Sequence, residues 1–111
     1  MKTGTKKLLW TFIIFILLFR GTAFGAGLLI DVRSEAEYRE SHIEGSINIP
    51  VNKIESMIRE YAPDKKTPIK LYCRSGRRSA LAREVLDKMG YTNVSDLGGM
   101  EYARKLLKQG K

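Results

Sequence analysis

The chain has 111 residues, enough for one domain, and a single cysteine, so it can hold no intramolecular disulfide. Its 20 Lys and Arg residues against 12 Asp and Glu residues give a formal net charge of +8. Four of the basic residues and none of the acidic ones lie within positions 1–25, so residues 26–111 carry a net charge of only +4. This balance, without aromatic residues set into a basic stripe, argues against nucleic-acid binding.

Residues 1–25 have the pattern of a secretory signal peptide. A basic start is followed by an apolar run at 8–19 and by small residues at Ala23 and Gly25. We predict cleavage after Gly25, which leaves a domain of residues 26–111 in the periplasm or another exported location. The alternative is a retained membrane anchor, but the apolar run is shorter than the ~18 residues needed to span a bilayer. Contact with a membrane is therefore expected only through the export signal.

Strands and helices are predicted to alternate along the rest of the chain. Short apolar segments predict strands at 28–32, 46–49, 69–72 and 93–97. Helices are predicted at 34–40, from Asn52 up to a polar loop at 61–68, at 79–89 and at 100–108. This order predicts an α/β domain with a small parallel sheet, of about four strands, and helices on both faces.

Local signals sharpen two of the helices. Ser34 and Glu37 have the spacing of a capping box, which predicts a helix start at Ser34. In the helix at 79–89 we expect a core stripe that ends before Gly90, the C-terminal capping position; the stripe comprises Leu81, Val85, Leu86 and Met89. Gly98 and Gly99 are predicted to form a turn after the fourth strand.

The single cysteine, Cys73, follows the third strand directly. Parallel sheets bind ligands beyond the carboxyl ends of their strands, so Cys73 is predicted at the functional edge. Nearby cations and a helix N-terminus lower the pKa of a thiol, and Gly76 lets successive backbone amides converge on one point. We therefore predict a Cys73 thiolate at the base of a pocket for a small anionic electrophile, with substrate-binding residues Arg74, Ser75, Gly76, Arg77 and Arg78.

Three other residues have side chains that could contribute to the site. Asp31 and Arg33 end the first strand on the same edge as Cys73, and we expect them to pair and support the site from behind. His42 is the only histidine, and we assign it a structural role. One histidine and one cysteine at this separation do not make a metal site, so no metal is predicted.

The chain resembles rhodanese-type sulfurtransferase domains. The resemblance rests on Ile-Asp-Val-Arg at 30–33, Glu-Tyr at 37–38, His-Ile-Glu-Gly-Ser-Ile-Asn-Ile-Pro at 42–50, Cys-Arg-Ser-Gly-Arg-Arg-Ser at 73–79 and Leu-Gly-Gly at 97–99. It implies transfer of sulfur from thiosulfate to cyanide or a thiol through a persulfide on Cys73, without a metal or an organic cofactor.

Alternatives remain open. Dual-specificity phosphatases share this fold and place five residues between a cysteine and an arginine, whereas four separate Cys73 from Arg78. This shorter loop favours a sulfur-bearing anion over a phosphate ester. A non-enzymatic carrier of sulfane sulfur and a thiol redox sensor are the other two possibilities.

Overall fold

The computed structural model describes residues 27–110, in which four parallel strands form one sheet in the order β2-β1-β3-β4. The predicted α/β fold is confirmed. In chain order the elements are β1 (Leu28–Asp31), α1 (Glu35–Glu40), β2 (Ile47–Asn48), a 3-10 turn (Val51–Lys53), α2 (Ile54–Tyr61), β3 (Ile69–Cys73), α3 (Arg77–Lys88), β4 (Val94–Gly99) and α4 (Met100–Gln109).

The sheet has an apolar core on each face. Side chains alternate along a strand, so Ile30 and Leu71 face one side while Leu29 and Tyr72 face the other. The first face packs against α2 and α3, and the second against α4. Helices therefore cover both faces, which is why β1 and β3 are apolar on both sides. Each fully buried aliphatic side chain, such as Ile30, stabilises the fold by roughly 1.5–3 kcal/mol.

Helix α3 begins two residues earlier than predicted, and of its predicted core stripe Val85, Leu86 and Met89 do pack in the core. Its first residue is Arg77, and its buried positions are Ser79, Ala82 and Leu86. Leu81 is 48% exposed, so its assignment to the core was wrong. The buried residues are three and four positions apart, so Ser79 shares the inward face of the helix with Ala82 and Leu86.

Three element boundaries also differ from the prediction. Strand β2 contains only Ile47 and Asn48, and Asn52 lies inside a 3-10 turn instead of capping α2. Gly98 and Gly99 complete β4 and do not form a separate turn; a register shift in the β3–β4 pairing lets Gly99 pair with Cys73. The glycines thus reach the functional edge as part of the sheet. No helix within residues 27–110 is long and apolar enough to cross a membrane.

Candidate active site

Cys73 is the last residue of β3, and its side chain is enclosed by the chain that follows it. The residue is 1% exposed, while Arg74 and Ser75 beside it are exposed. Gly76 has a φ of +101°, a left-handed conformation that glycine adopts without strain. This glycine turns the chain back over the sulfur and into α3. We call residues 73–79 the cysteine loop.

Backbone and side-chain donors converge on the Cys73 sulfur. The N–H of Gly76 donates to Sγ at 3.0 Å, and the N–H of Ser79 donates to it at 3.4 Å. The Ser79 hydroxyl oxygen lies 3.6 Å from Sγ and donates to the carbonyl oxygen of Gly76 at 3.1 Å. The hydroxyl can therefore accept from the thiol, or rotate and donate to the thiolate.

These contacts favour the ionised form of Cys73. Burial, the largest single influence, raises the pKa of the thiol, but hydrogen bonds from the Ser79 hydroxyl and the amides of Ser79, Gly76 and Ser75 outweigh it, so the pKa is lowered. Two of those donors, both from Ser79, belong to the first turn of α3, so the expected influence of the helix N-terminus is present. Hydrogen bonds, more than the arginine charges that the sequence suggested, hold the thiolate.

The hydrogen bonds of the Cys73 sulfur come from Gly76 and Ser79, and the arginines of the cysteine loop bond elsewhere. Arg78 donates to Glu37 through both ends of its guanidinium, with Nη1–Oε1 at 2.7 Å and Nη2–Oε2 at 3.1 Å. The Nε of Arg74 lies 3.3 Å from the same carboxylate. Hydrogen bonding to Glu37 is the main cause that raises the pKa of Arg78, and the nearby charge of Cys73 adds to it. Arg77 is exposed and makes no ion pair within residues 27–110.

Glu37 is therefore a site residue that the sequence did not single out. Its hydrogen bond to Arg78 is the main reason that its pKa lies well below the usual range. The predicted capping box is present, since Ser34 and Glu37 cap α1 reciprocally. The capping box places Glu37 at the start of α1, but it does not predict that Glu37 lies opposite the start of α3.

Asp31 and Arg33 pair as predicted. Arg33 donates to both oxygens of the fully buried Asp31 carboxylate, at 3.0 Å from Nε and 2.7 Å from Nη2, and it also donates to the backbone oxygen of Ser41 at 2.6 Å. The Tyr72 hydroxyl donates to the same carboxylate at 3.0 Å and accepts from the N–H of Ile43 at 3.0 Å. These hydrogen bonds connect the segment after α1 to the sheet edge that carries Cys73.

His42 lies away from the sulfur. Its ring is exposed and stacks on Tyr38 with centroids 3.7 Å apart, and its Nδ1 is 2.7 Å from the Tyr38 backbone oxygen. These contacts are those of a structural residue. Within the described part of the chain, no group of three His, Cys, Asp or Glu residues could hold a metal.

The chain is similar to known sulfur-transfer proteins over most of its length. Residues 20–104 match the family model described as Rhodanese-like domain. Thiosulfate sulfurtransferase PspE of Escherichia coli is 41% identical over 85 residues, covering 77% of this chain and 82% of the relative. A putative mitochondrial thiosulfate sulfurtransferase of Schizosaccharomyces pombe is 36% identical over 100 residues, covering 78% and 70%.

Solved structures agree with the sequence relatives. A structure described as rhodanese with anions from E. coli superposes with a TM-score of 0.67 at 42% identity, covering 69% of this chain and 91% of that chain. The human single-domain sulfurtransferase TSTD1 superposes with a TM-score of 0.61 at 26% identity, covering 83% and 90%. Together with the cysteine loop at the carboxyl end of β3, these matches show that the chain belongs to the family of rhodanese-like domains.

Proposed function

We propose that this chain is a thiosulfate sulfurtransferase in which Cys73 carries the transferred sulfur as a persulfide. The observation that supports this most is the buried Cys73 sulfur, on which the amides of Gly76 and Ser79 and the Ser79 hydroxyl converge. The E. coli and S. pombe relatives are named as thiosulfate sulfurtransferases, the second putatively. A lone thiolate held by donors suits a nucleophile that forms a covalent intermediate.

The reaction has two displacement steps. The Cys73 thiolate attacks the outer sulfur of thiosulfate; a new S–S bond forms, the bond between the two thiosulfate sulfurs breaks, and sulfite leaves with the electron pair. An acceptor nucleophile, cyanide or a thiolate, then attacks the outer sulfur of the persulfide, and Cys73 leaves as the thiolate. Because Cys73 enters and leaves ionised, no general base is needed to remove a proton from it.

The cysteine loop supplies donors for the charge in both steps. The amides of Gly76 and Ser79 lie on the sulfur, where they stabilise negative charge without reorganising. The positive charges of Arg74, Arg77 and Arg78 in the same loop attract the dianionic donor, and Glu37, which pairs with Arg74 and Arg78, offsets part of that charge. A cavity of about 280 Å³ lies on the other side of Arg78, between Val32 and Val51, and Cys73 is not among the residues that line it.

The geometry of Arg78 weighs against the phosphatase alternative. A phosphatase loop needs a guanidinium fork turned toward the anion at the loop centre, since planar bidentate contacts are how arginine holds a phosphate. Both Nη atoms of Arg78 are turned toward Glu37 instead. The loop amides remain as the main donors, and they suit a sulfur atom.

Intact-mass spectrometry tests the persulfide directly. Incubation with millimolar thiosulfate is expected to add the mass of one sulfur atom, and cyanide is expected to remove it with release of thiocyanate. Cys73→Ala should not gain the mass. Absence of the adduct would refute the assignment, and turnover of an aryl phosphate would favour the phosphatase. A stable adduct that cyanide and thiols do not discharge would indicate a carrier that delivers its sulfur to a specific partner.

We also propose that residues 1–25 direct export and are removed. These residues lie outside those the structure describes, so the proposal rests on their sequence pattern alone. Expression of the full chain in a Gram-negative host, followed by fractionation and intact-mass measurement, tests it. A periplasmic product beginning at Ala26 is expected. A membrane-bound product of full mass would support the anchor alternative.

A further inference from the structure

The junction between β4 and α4 presses against the cysteine loop. We call residues 98–100 the glycine corner. Gly99 pairs with Cys73 across the sheet and forms an isolated antiparallel bridge with Ser75. The N–H of Met100 donates to the carbonyl oxygen of Arg74 at 3.3 Å. The backbone of an exposed loop is thus held by a partner more than twenty residues later in the sequence.

The close approach explains why Gly99 is a glycine. Its φ of −75° and ψ of 157° are extended backbone that any residue adopts. A Cβ at this position would lie 2.8 Å from the carbonyl oxygen of Arg74 and 3.4 Å from the Cα of Ser75. Both atoms belong to the backbone, so no side-chain rotation relieves the contact. The corner therefore requires glycine for space and not for conformational freedom.

The contact fixes the orientation of one peptide group. In a trans peptide the C=O and the following N–H point in opposite directions. Because the Arg74 carbonyl oxygen accepts from Met100, the N–H of Ser75 points away from the glycine corner. Rotation of this peptide plane would displace the following residue, Gly76, which lies against Gly98 and whose N–H donates to the Cys73 sulfur at 3.0 Å.

We propose that the glycine corner is a positioning element, in which Gly99 and the Met100 N–H hold the Arg74–Ser75 peptide so that the next amide, that of Gly76, donates to Cys73 at 3.0 Å. Neither residue touches the reacting atoms; both act through the loop. The Gly76 amide, which donates to Sγ, is among the hydrogen bonds that lower the pKa of Cys73. The catalytic consequence rests on the proposed sulfurtransferase function, but the state of the thiol does not, so the two can be tested separately.

Met100→Pro removes the single N–H with little other change to the backbone. Met100 is the first residue of α4, where proline is favoured, and Gly99 has the extended conformation that precedes proline. Met100→Ala is the matched comparison, because both variants lose the Met100 side chain and only the proline variant loses the donor. The charged groups around the sulfur are the same in both: Asp31, Arg33, Glu37, Arg74, Arg77 and Arg78.

The measurement is the rate of Cys73 alkylation by iodoacetamide as a function of pH. Below the inflection, Met100→Pro is expected to react about tenfold more slowly than Met100→Ala, because one hydrogen bond to an anion is lost. Above the inflection Met100→Pro should react no more slowly than Met100→Ala, because a thiolate of higher pKa is the better nucleophile, and this separates a change in ionisation from a change in access. Superimposable profiles for the two variants would overturn the proposal, whatever the activity with thiosulfate.

Gly99→Ala tests the same contact from its other side and decides the matter should Met100→Pro not fold. Its matched control is Gly90→Ala, at the end of α3, where φ is +95° and a Cβ would meet nothing within 4 Å. Gly90→Ala introduces backbone strain away from the loop, so its alkylation profile should match that of the unmodified protein. Gly99→Ala should shift the inflection to higher pH. An unshifted inflection in Gly99→Ala would refute the positioning role.

Discussion

The hydroxyl of Ser79 offers a direct test of how the fold ionises Cys73. The Ser79 side chain is fully buried on the first turn of α3, with its oxygen 3.6 Å from the sulfur. Ser79→Ala removes the hydroxyl but keeps the amide that donates at 3.4 Å. Burial, which opposes ionisation, stays the same, so the pKa of Cys73 should rise. A hydrogen bond to a charged group contributes roughly 1.5–3 kcal/mol, and at this long distance the lower end applies. That is about a tenfold smaller thiolate fraction below the pKa.

The assay is the pH dependence of the thiolate ultraviolet absorbance, checked by the rate of iodoacetamide alkylation. Ser56→Ala is the matched control. The Ser56 hydroxyl also donates to a backbone oxygen, that of Lys53 at 3.1 Å, but Ser56 lies on the exposed side of α2 and has no contact with the sulfur. We expect an unchanged profile for Ser56→Ala and a shift to higher pH for Ser79→Ala. Identical profiles for the two variants would refute the hydrogen-bond explanation and would favour arginine charge as the cause of the lowered pKa of Cys73.

Three further predictions concern stability. Tyr72→Phe should lower the free energy of unfolding in urea by about 2 kcal/mol, since it removes a buried donor to Asp31; a loss under 0.5 kcal/mol would contradict this role. Glu37→Gln should lower the free energy of unfolding by about 1 kcal/mol at neutral pH, a modest amount because Arg78 is partly exposed. The effect should be small at acidic pH. The lowered pKa of Glu37 gives stability that is present above its unfolded pKa of about 4.3 and is lost as the pH falls. For Cys73, the lowered pKa means that stability rises with pH up to the unfolded value of about 8.5, and Cys73→Ser should abolish that slope.

The architecture was predictable because each element carries a strong local signal. The apolar runs of β1 and β3 mark strands buried on both faces, and the capping box at Ser34 places the start of α1 correctly. The core face of α3 was predicted only in its second half, where Leu86 is buried. In the first half Leu81 matched an apolar helical period, but the helix turns Ser79 and Ala82 inward. One of these two is polar and the other small, so apolar periodicity gives them little weight.

The site residues also differ in how far the sequence alone could predict them. Cys73 and the glycine that turns the loop are adjacent in sequence, so their chemistry could be inferred from local spacing. The partner of Arg78 could not, because Glu37 lies 41 positions away and meets it only after α1 is placed against the start of α3. The role of Ser79 depends on where α3 begins, and the two arginines before it looked like loop residues. Contacts between elements carry this information, and no single segment contains it.

The loop amides contact the Cys73 sulfur and the arginines do not, which suits a sulfur that alternates between a thiolate and a persulfide. A guanidinium bonded to Cys73 would stabilise the free thiolate more than the transition state of its attack on thiosulfate, which would slow that attack. Amides of Gly76 and Ser79 are neutral donors fixed by the backbone, and they remain on the inner sulfur whether it is a thiolate or part of a persulfide. Glu37 keeps the Arg78 fork occupied, so the positive charge attracts the donor anion without closing on the nucleophile. The site can therefore attract dianionic thiosulfate and still leave the Cys73 sulfur free to form the persulfide and to release it.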